Sequence, residues 1–131
     1  MTVQSQAHIF NTVPKKDVFG FYNHKGKIQY KKVANLLNFN RKEISKAVRI
    51  SISSVRYEEN KIPNKMKEFS TAMIWLIHVT YEHLKDENKM IQWIDSPNPI
   101  CGGFSPKDMI CMGQYKKLVK IVSSYIEGNT P

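Results

Sequence analysis

Two cysteines, Cys101 and Cys111, and four histidines, His8, His24, His78 and His83, are the residues of this chain best suited to nucleophilic or metal chemistry. A reactive thiolate needs a base or cation beside it, and a structural metal site needs ligands at short, repeated spacings. Here the cysteines lie ten apart and the histidines are scattered, so no pair has the spacing of a zinc knuckle or a helix-borne metal site. Cys101 assisted by His83 can be drawn as a nucleophile and base, but no local signature surrounds it. His78 falls beside an apolar stripe and reads as a core histidine. The pair Gly102-Gly103 follows no strand, and neither a P-loop nor a dinucleotide fingerprint occurs. The expectation is a protein without catalysis, metal or cofactor.

The charge points to a different chemistry. Lys and Arg number 20 against 11 Asp and Glu, a formal +9. From Met1 to Ser70 there are 14 cationic and 5 anionic side chains, and from Thr71 to Pro131 there are 6 of each, so the whole excess sits in the first half. Such a field draws a polyanion in a salt-dependent way, nucleic acid first, although an anionic membrane surface also suits a basic face. No run of about eighteen apolar residues exists, and the amino terminus lacks a charged start followed by an apolar block. Neither a membrane span nor a secretion signal is therefore expected, and the predicted location is cytoplasmic. Two cysteines are too few for a disulfide framework, so both are expected to be reduced.

The elements that position these residues read as helices throughout. Residues 1–26 form an expected arm, loose to Lys16 and then anchored by Phe19, Phe21 and Tyr22; Phe19 to Tyr30 could make a small hairpin. Val33, Leu36 and Leu37 recur at helical spacing over Gln29 to Leu37. Asn40 followed three residues later by Glu43 is a capping box for a helix over Arg41 to Val48. Ser51 then stands as the cap of a helix from Ile52 to about Glu59, with Val55 inward. Pro63 ends that unit. Met66, Phe69, Met73, Leu76 and Ile77, widened by Ile74, Trp75 and Val79, predict a long spine helix buried on several sides or at a subunit contact. A short helix over Asn88 to Ile94 follows. The stretch Ser96 to Phe104, with two prolines and two glycines, predicts a shaped loop with little backbone hydrogen bonding of its own. Ser105, Pro106 and Asp108 open a helix ending near Gly113, and the last helix runs Tyr115 to Glu127, burying Leu118, Ile121, Val122 and Tyr125, with Gly128 past its end. The predicted class is all-α, in three parts: the arm 1–26, a DNA-binding unit 27–65, and a helical unit 66–131.

Segment RKEISKAVRISISSVRYEE resembles a helix-turn-helix, with Ile44, Ala47, Val48, Ile50 and Val55 holding two short helices at a steep angle. Two positions depart from the motif: Arg49 stands where a turn glycine is usual, and Ser45 where a small apolar residue is commoner. If the second helix enters a major groove, Ser53, Ser54 and Arg56 are the base-edge candidates, and Lys42, Lys46, Lys61 and Lys65 contact phosphates. A plain trihelical packing unit with solvated lysines is the alternative.

From Trp75 to Gly128, WIDSPNPICGGFSPKDMI and the helix YKKLVKIVSSYIEG resemble the toxin-binding domain of Xre/MbcA/ParS-like type II antitoxins. The shared features are Trp93 on a short helix, Pro97-Asn98-Pro99, Gly102-Gly103, Pro106 opening a helix, and Glu127-Gly128 closing the last one. Ile110-Cys111-Met112 departs from the Leu-rich usage of the family. That family carries an amino-terminal Xre-like helix-turn-helix, so the resemblance extends from about Lys27. It implies a homodimeric antitoxin that binds and occludes a RES-domain, NAD-consuming toxin and represses its own operon on double-stranded DNA. It further implies toxin contact through Trp93, Asn98, Pro99, Gly102, Gly103, Phe104, Glu127, Gly128 and Asn129. A stand-alone regulator and a structural adaptor without DNA are the other functions considered; without the resemblance, Pro97 to Gly103 reads as an interhelix connector.

Overall fold

The computed structural model describes residues 17–128. Among them there are six α-helices and no sheet, so the fold is all-α; the sole β feature there is an isolated antiparallel bridge between Tyr22 and Ile28. The helices are α1 (Tyr30–Leu36), α2 (Arg41–Val48), α3 (Asn64–Leu84), α4 (Glu87–Asp95), α5 (Pro106–Cys111) and α6 (Tyr115–Ile126). His8, Asn129 and the loose part of the expected arm lie outside the described residues.

Helix α3 is the axle. Ala72, Met73, Leu76 and Ile77 are completely buried, because α1, α2, α4 and α6 all pack against it. Of the two expectations for this stripe, burial on several sides or a subunit contact, the first holds within one chain, and both halves share one continuous core. Phe39, Phe69 and Tyr115 stack edge to face at 6.2 and 5.2 Å, which joins the α1–α2 turn, the spine and the start of α6. Lys107 ties α5 to the same turn: its ammonium lies 5.3 Å from the centre of the Phe39 ring, donates to the Asn38 carbonyl at 3.2 Å, and sits 3.8 Å from Glu43.

Local chemistry sets most helix ends where the sequence puts them. The Asn40 side chain accepts from the Glu43 N–H at 2.8 Å while the Glu43 carboxylate accepts from the Asn40 N–H, and Ser105 with Asp108 repeats the arrangement ahead of Pro106. Asp86 caps α4, and Gly113 and Gly128, both at positive φ, follow α5 and α6. Within 17–30, the Asp17 carboxylate accepts from the N–H groups of Phe21 and Tyr22, and Phe21 is buried against the edge of His78 on α3. The aromatic anchor of the arm is in place.

Three expectations need correction. The predicted helix Ile52 to Glu59 is absent. Ile52–Ser54 is one 3-10 turn, Val55 is extended, and a second 3-10 turn spans Glu59–Lys61. An α-helix here would use the carbonyls of Ile52, Ser53 and Val55 for the N–H groups of residues 56, 57 and 59. Guanidinium groups hold them instead: Arg41 donates to Ile52 O at 3.2 Å and Val55 O at 2.9 Å, and Arg56 donates to Ser53 O at 3.1 Å. The Ser51 hydroxyl bonds to those of Ser53 and Ser54 rather than capping, and a segment of serines and β-branched residues has little helix propensity to oppose this.

Second, the loop Ser96 to Phe104 is richly hydrogen-bonded. Asn98 N–H donates to Phe104 O, Gly103 N–H to Asn98 O, and a 3-10 turn covers Pro99–Cys101. Third, Tyr125 is about half exposed (49 %), because the buried stripe of α6 runs through Tyr115, Leu118, Val119 and Val122 and leaves Tyr125 on its flank.

Candidate functional site

The carboxyl half presents a groove of about 290 Å3. Its floor is α3, through Val79 and Thr80; its walls are Trp93 of α4, Asn98 and Ile100 of the loop, and Val122, Tyr125 and Ile126 of α6. Tyr125 and Ile126 are both 49 % exposed, and the His83 ring meets Tyr125 edge-on at 6.4 Å to form one lip. Large apolar side chains held half in water beside a concave surface are suited to receive another apolar group. At the floor, Thr80 is buried and its Oγ1 has no hydrogen-bond partner. A buried hydroxyl left so costs about 1–3 kcal/mol.

The loop on the rim is rigid for identifiable reasons. The Asn98 side chain accepts from the Ile100 N–H at 3.1 Å, Pro99 opens the 3-10 turn, and Gly102 and Gly103 take φ of +70° and +90°, a conformation that side chains with a Cβ disfavour. Little ordering cost then remains when this edge meets a partner. Phe104, 51 % exposed, projects from the same loop.

Of the residues predicted for toxin contact, Trp93 and Asn98 line the groove. Pro99, Gly102, Gly103 and Phe104 are exposed on the loop, and Glu127 and Gly128 are exposed just past α6. Asn129 lies outside the described residues. Sequence reasoning missed Thr80, His83, Tyr125 and Ile126. One signal was available: the apolar positions 118, 119, 121, 122, 125 and 126 of α6 cover more than one helix face, so part of that surface must look outward.

In the amino half, Lys42, Lys46, Ser53, Arg56, Lys61 and Lys65 are exposed and Ser54 is half-buried. Arg56, Ser53 and Arg41 meet in a cleft of about 490 Å3. Because 52–54 is a single 3-10 turn, Ser53, Ser54 and Arg56 are not presented on a groove-entering helix as the sequence suggested. The turn before it takes the left-handed backbone that a turn glycine would. Arg49 adopts the left-handed conformation, φ 59° and ψ 52°, at the position where glycine is usual. Ser45 explains why this is tolerated: its carbonyl accepts from the Arg49 and Ile50 N–H groups and its hydroxyl donates to Ile50 O.

The cysteines stand apart from both faces. Burial pushes the Cys101 thiol up, and burial together with the Glu43 carboxylate pushes up that of Cys111. His78 Nδ1 donates to Ile74 O at 2.9 Å, since a carbonyl can only accept, and among the described residues its buried Nε2 has no hydrogen-bond partner, with Asp17 at 3.9 Å. It is a core histidine with one nitrogen unsatisfied. Among the described residues no helix is long and apolar enough to cross a membrane. No protein-family model, curated protein or solved structure matches this chain.

Proposed function

We propose that this protein is an antitoxin of the Xre/MbcA/ParS-like kind, which occludes a RES-domain toxin through its carboxyl half and holds double-stranded DNA through its amino half. The observation that carries the reading is the groove between α3 and α6. It combines half-exposed Tyr125 and Ile126 with a Pro/Gly rim on the half of the chain with no net charge. A neutral concave surface with apolar anchors suits a protein partner better than a polyanion. Of the residues that carry the resemblance, Trp93 and Asn98 line this groove, which supports the reading.

On the amino half, Lys42, Lys46, Lys61 and Lys65 contact phosphates, and Arg56 reaches from a turn rather than from a helix. Contact of this kind is strong at low salt and modest in sequence preference. Repression of its own operon and assembly as a homodimer complete the proposal. The test is co-expression with the product of the adjacent gene, and with a RES-domain toxin, followed by purification through a tag on either chain. Tyr125→Asp with Ile126→Asp is expected to leave helicity intact, abolish co-purification and restore toxicity. Co-purification that survives the double substitution refutes the groove as the docking site. Failure of the native chain to bind any RES-domain protein refutes the antitoxin assignment.

A further inference from the structure

On the opposite half, the hairpin at 22–28, the start of α1 and the first turns of α3 enclose an open trough of about 690 Å3, a size within the range of roughly 300–1,000 Å3 that holds organic ligands. Three tyrosines, Tyr22, Tyr30 and Tyr57, line it, all half-buried. Four lysines join them: Lys27, Lys31, Lys32 and Lys67, all exposed. One carboxylate, Glu59, is on the lining and pairs with Lys27. Among the described residues, Lys31, Lys32 and Lys67 have no carboxylate within salt-bridge distance, and Lys32 is held in place by its bond to Gly20 O at 3.2 Å. The trough therefore keeps an excess of positive charge beside fixed aromatic rings.

That combination is selective. A simple anion site has no use for three rings, and an apolar ligand has none for four ammonium groups. Aromatic rings that accept flat bases, interleaved with cations that track a phosphodiester chain, make up the recognition surface for unpaired nucleic acid. A duplex buries its bases and cannot reach the rings without unstacking. The trough also has a continuation: Lys31 and Tyr57 line the neighbouring cleft with Arg41 and Arg56, so a ligand longer than one nucleotide has somewhere to go. We infer that this trough binds a single-stranded nucleic-acid segment, its bases against Tyr22, Tyr30 and Tyr57 and its phosphates on Lys27, Lys31, Lys32 and Lys67. Lys27 exchanges Glu59 for a phosphate when the strand enters. The trough is distinct from the groove under α6 and shares no lining residue with the set assigned above to duplex DNA, although its continuation includes Arg56, and it does not require the antitoxin reading.

The test is fluorescence anisotropy of the full chain with a labelled oligothymidylate, against the same sequence as a duplex and against free thymidine monophosphate as competitor. Four phosphate contacts predict that log K falls against log salt with a slope of about −3. Lys31→Glu with Lys67→Glu, both at exposed positions, is expected to weaken strand binding by about tenfold or more and to flatten the slope by about 1.4. Photocrosslinking with an iodouracil-bearing strand should mark Tyr22, Tyr30 or Tyr57, a readout that needs no tyrosine variant to fold. The inference is overturned by lack of saturable binding at low salt, by duplex binding as tight and as dependent on Lys31 and Lys67 as that of the strand, by displacement with the free mononucleotide at equal nucleotide concentration, or by crosslinks confined to residues outside the trough.

Discussion

Arg41→Met isolates the contact that replaces the expected second helix. The guanidinium makes two bonds to the 52–55 turn. The one to the half-buried Val55 carbonyl, at 2.9 Å, contributes about 1.5–3 kcal/mol as a charged hydrogen bond, whereas the 3.2 Å bond to exposed Ile52 O is largely exchanged for water and contributes about 0.5 kcal/mol. Against this, Arg41 is the first residue of α2, where a cation opposes the helix dipole by about 0.3–1 kcal/mol, and methionine removes that penalty while keeping most of the apolar stem. The net loss is about 2 kcal/mol. With a urea slope of about 2 kcal/mol per molar, the unfolding midpoint drops by about 1 M. Far-UV circular dichroism run on the same samples reports whether 52–59 becomes helical once its carbonyls are released. A midpoint change under about 0.3 M with no gain in helicity would refute the claim that Arg41 imposes the extended path.

Further outcomes follow from particular atoms. Thr80→Val removes the orphaned hydroxyl at nearly constant shape, so the protein should be equally stable or more so, by up to about 1 kcal/mol, in urea unfolding; a destabilised protein would mean that the hydroxyl has a partner after all. Asn40→Ala breaks the first capping box and should cost about 1 kcal/mol in urea unfolding without altering partner affinity measured by calorimetry. Tyr115, its hydroxyl pushed up to about 12 by burial and then by Glu68, titrates near 10 once unfolded. The native state therefore holds its proton through a window in which the unfolded chain has lost it. Stability should be complete below about pH 10 and fall as pH rises from about 10 to 12, with Tyr115→Phe flattening that fall. Ultraviolet titration of the folded protein beside Tyr115→Phe checks the same point: a Tyr115 phenolate appearing near pH 10 contradicts it.

Much of this architecture was legible because it is encoded locally. Asn40 and Glu43, or Ser105, Pro106 and Asp108, satisfy backbone groups within four residues of themselves, so their spacing alone places the starts of α2 and α5. From the segment Pro97 to Gly103, Asn98 and Ile100 line the groove. Segment 52–59 was misread because its period is compatible with a helix while its carbonyls are claimed by Arg41, up to fourteen residues back in the chain, a contact that no local window contains. Tyr125 was misread for a related reason: several adjacent faces of α6 are apolar, and packing against α3 decides which of them stays outside.

By itself, the order of residues determined an all-α chain, the positions of its caps and breakers, and the confinement of the net positive charge to its first half, since each depends on neighbours in sequence or on a simple count. Tertiary structure alone decided which polar and aromatic groups converge. The trough takes Tyr22, Tyr57 and Lys67 from three separate elements, and the groove sets Thr80 of α3 against Tyr125 of α6. Concave sites are made where elements distant in the chain meet, and the free energy that brings them together comes from burying Met73, Leu76 and Ile77 on the central helix, not from the residues that line the sites.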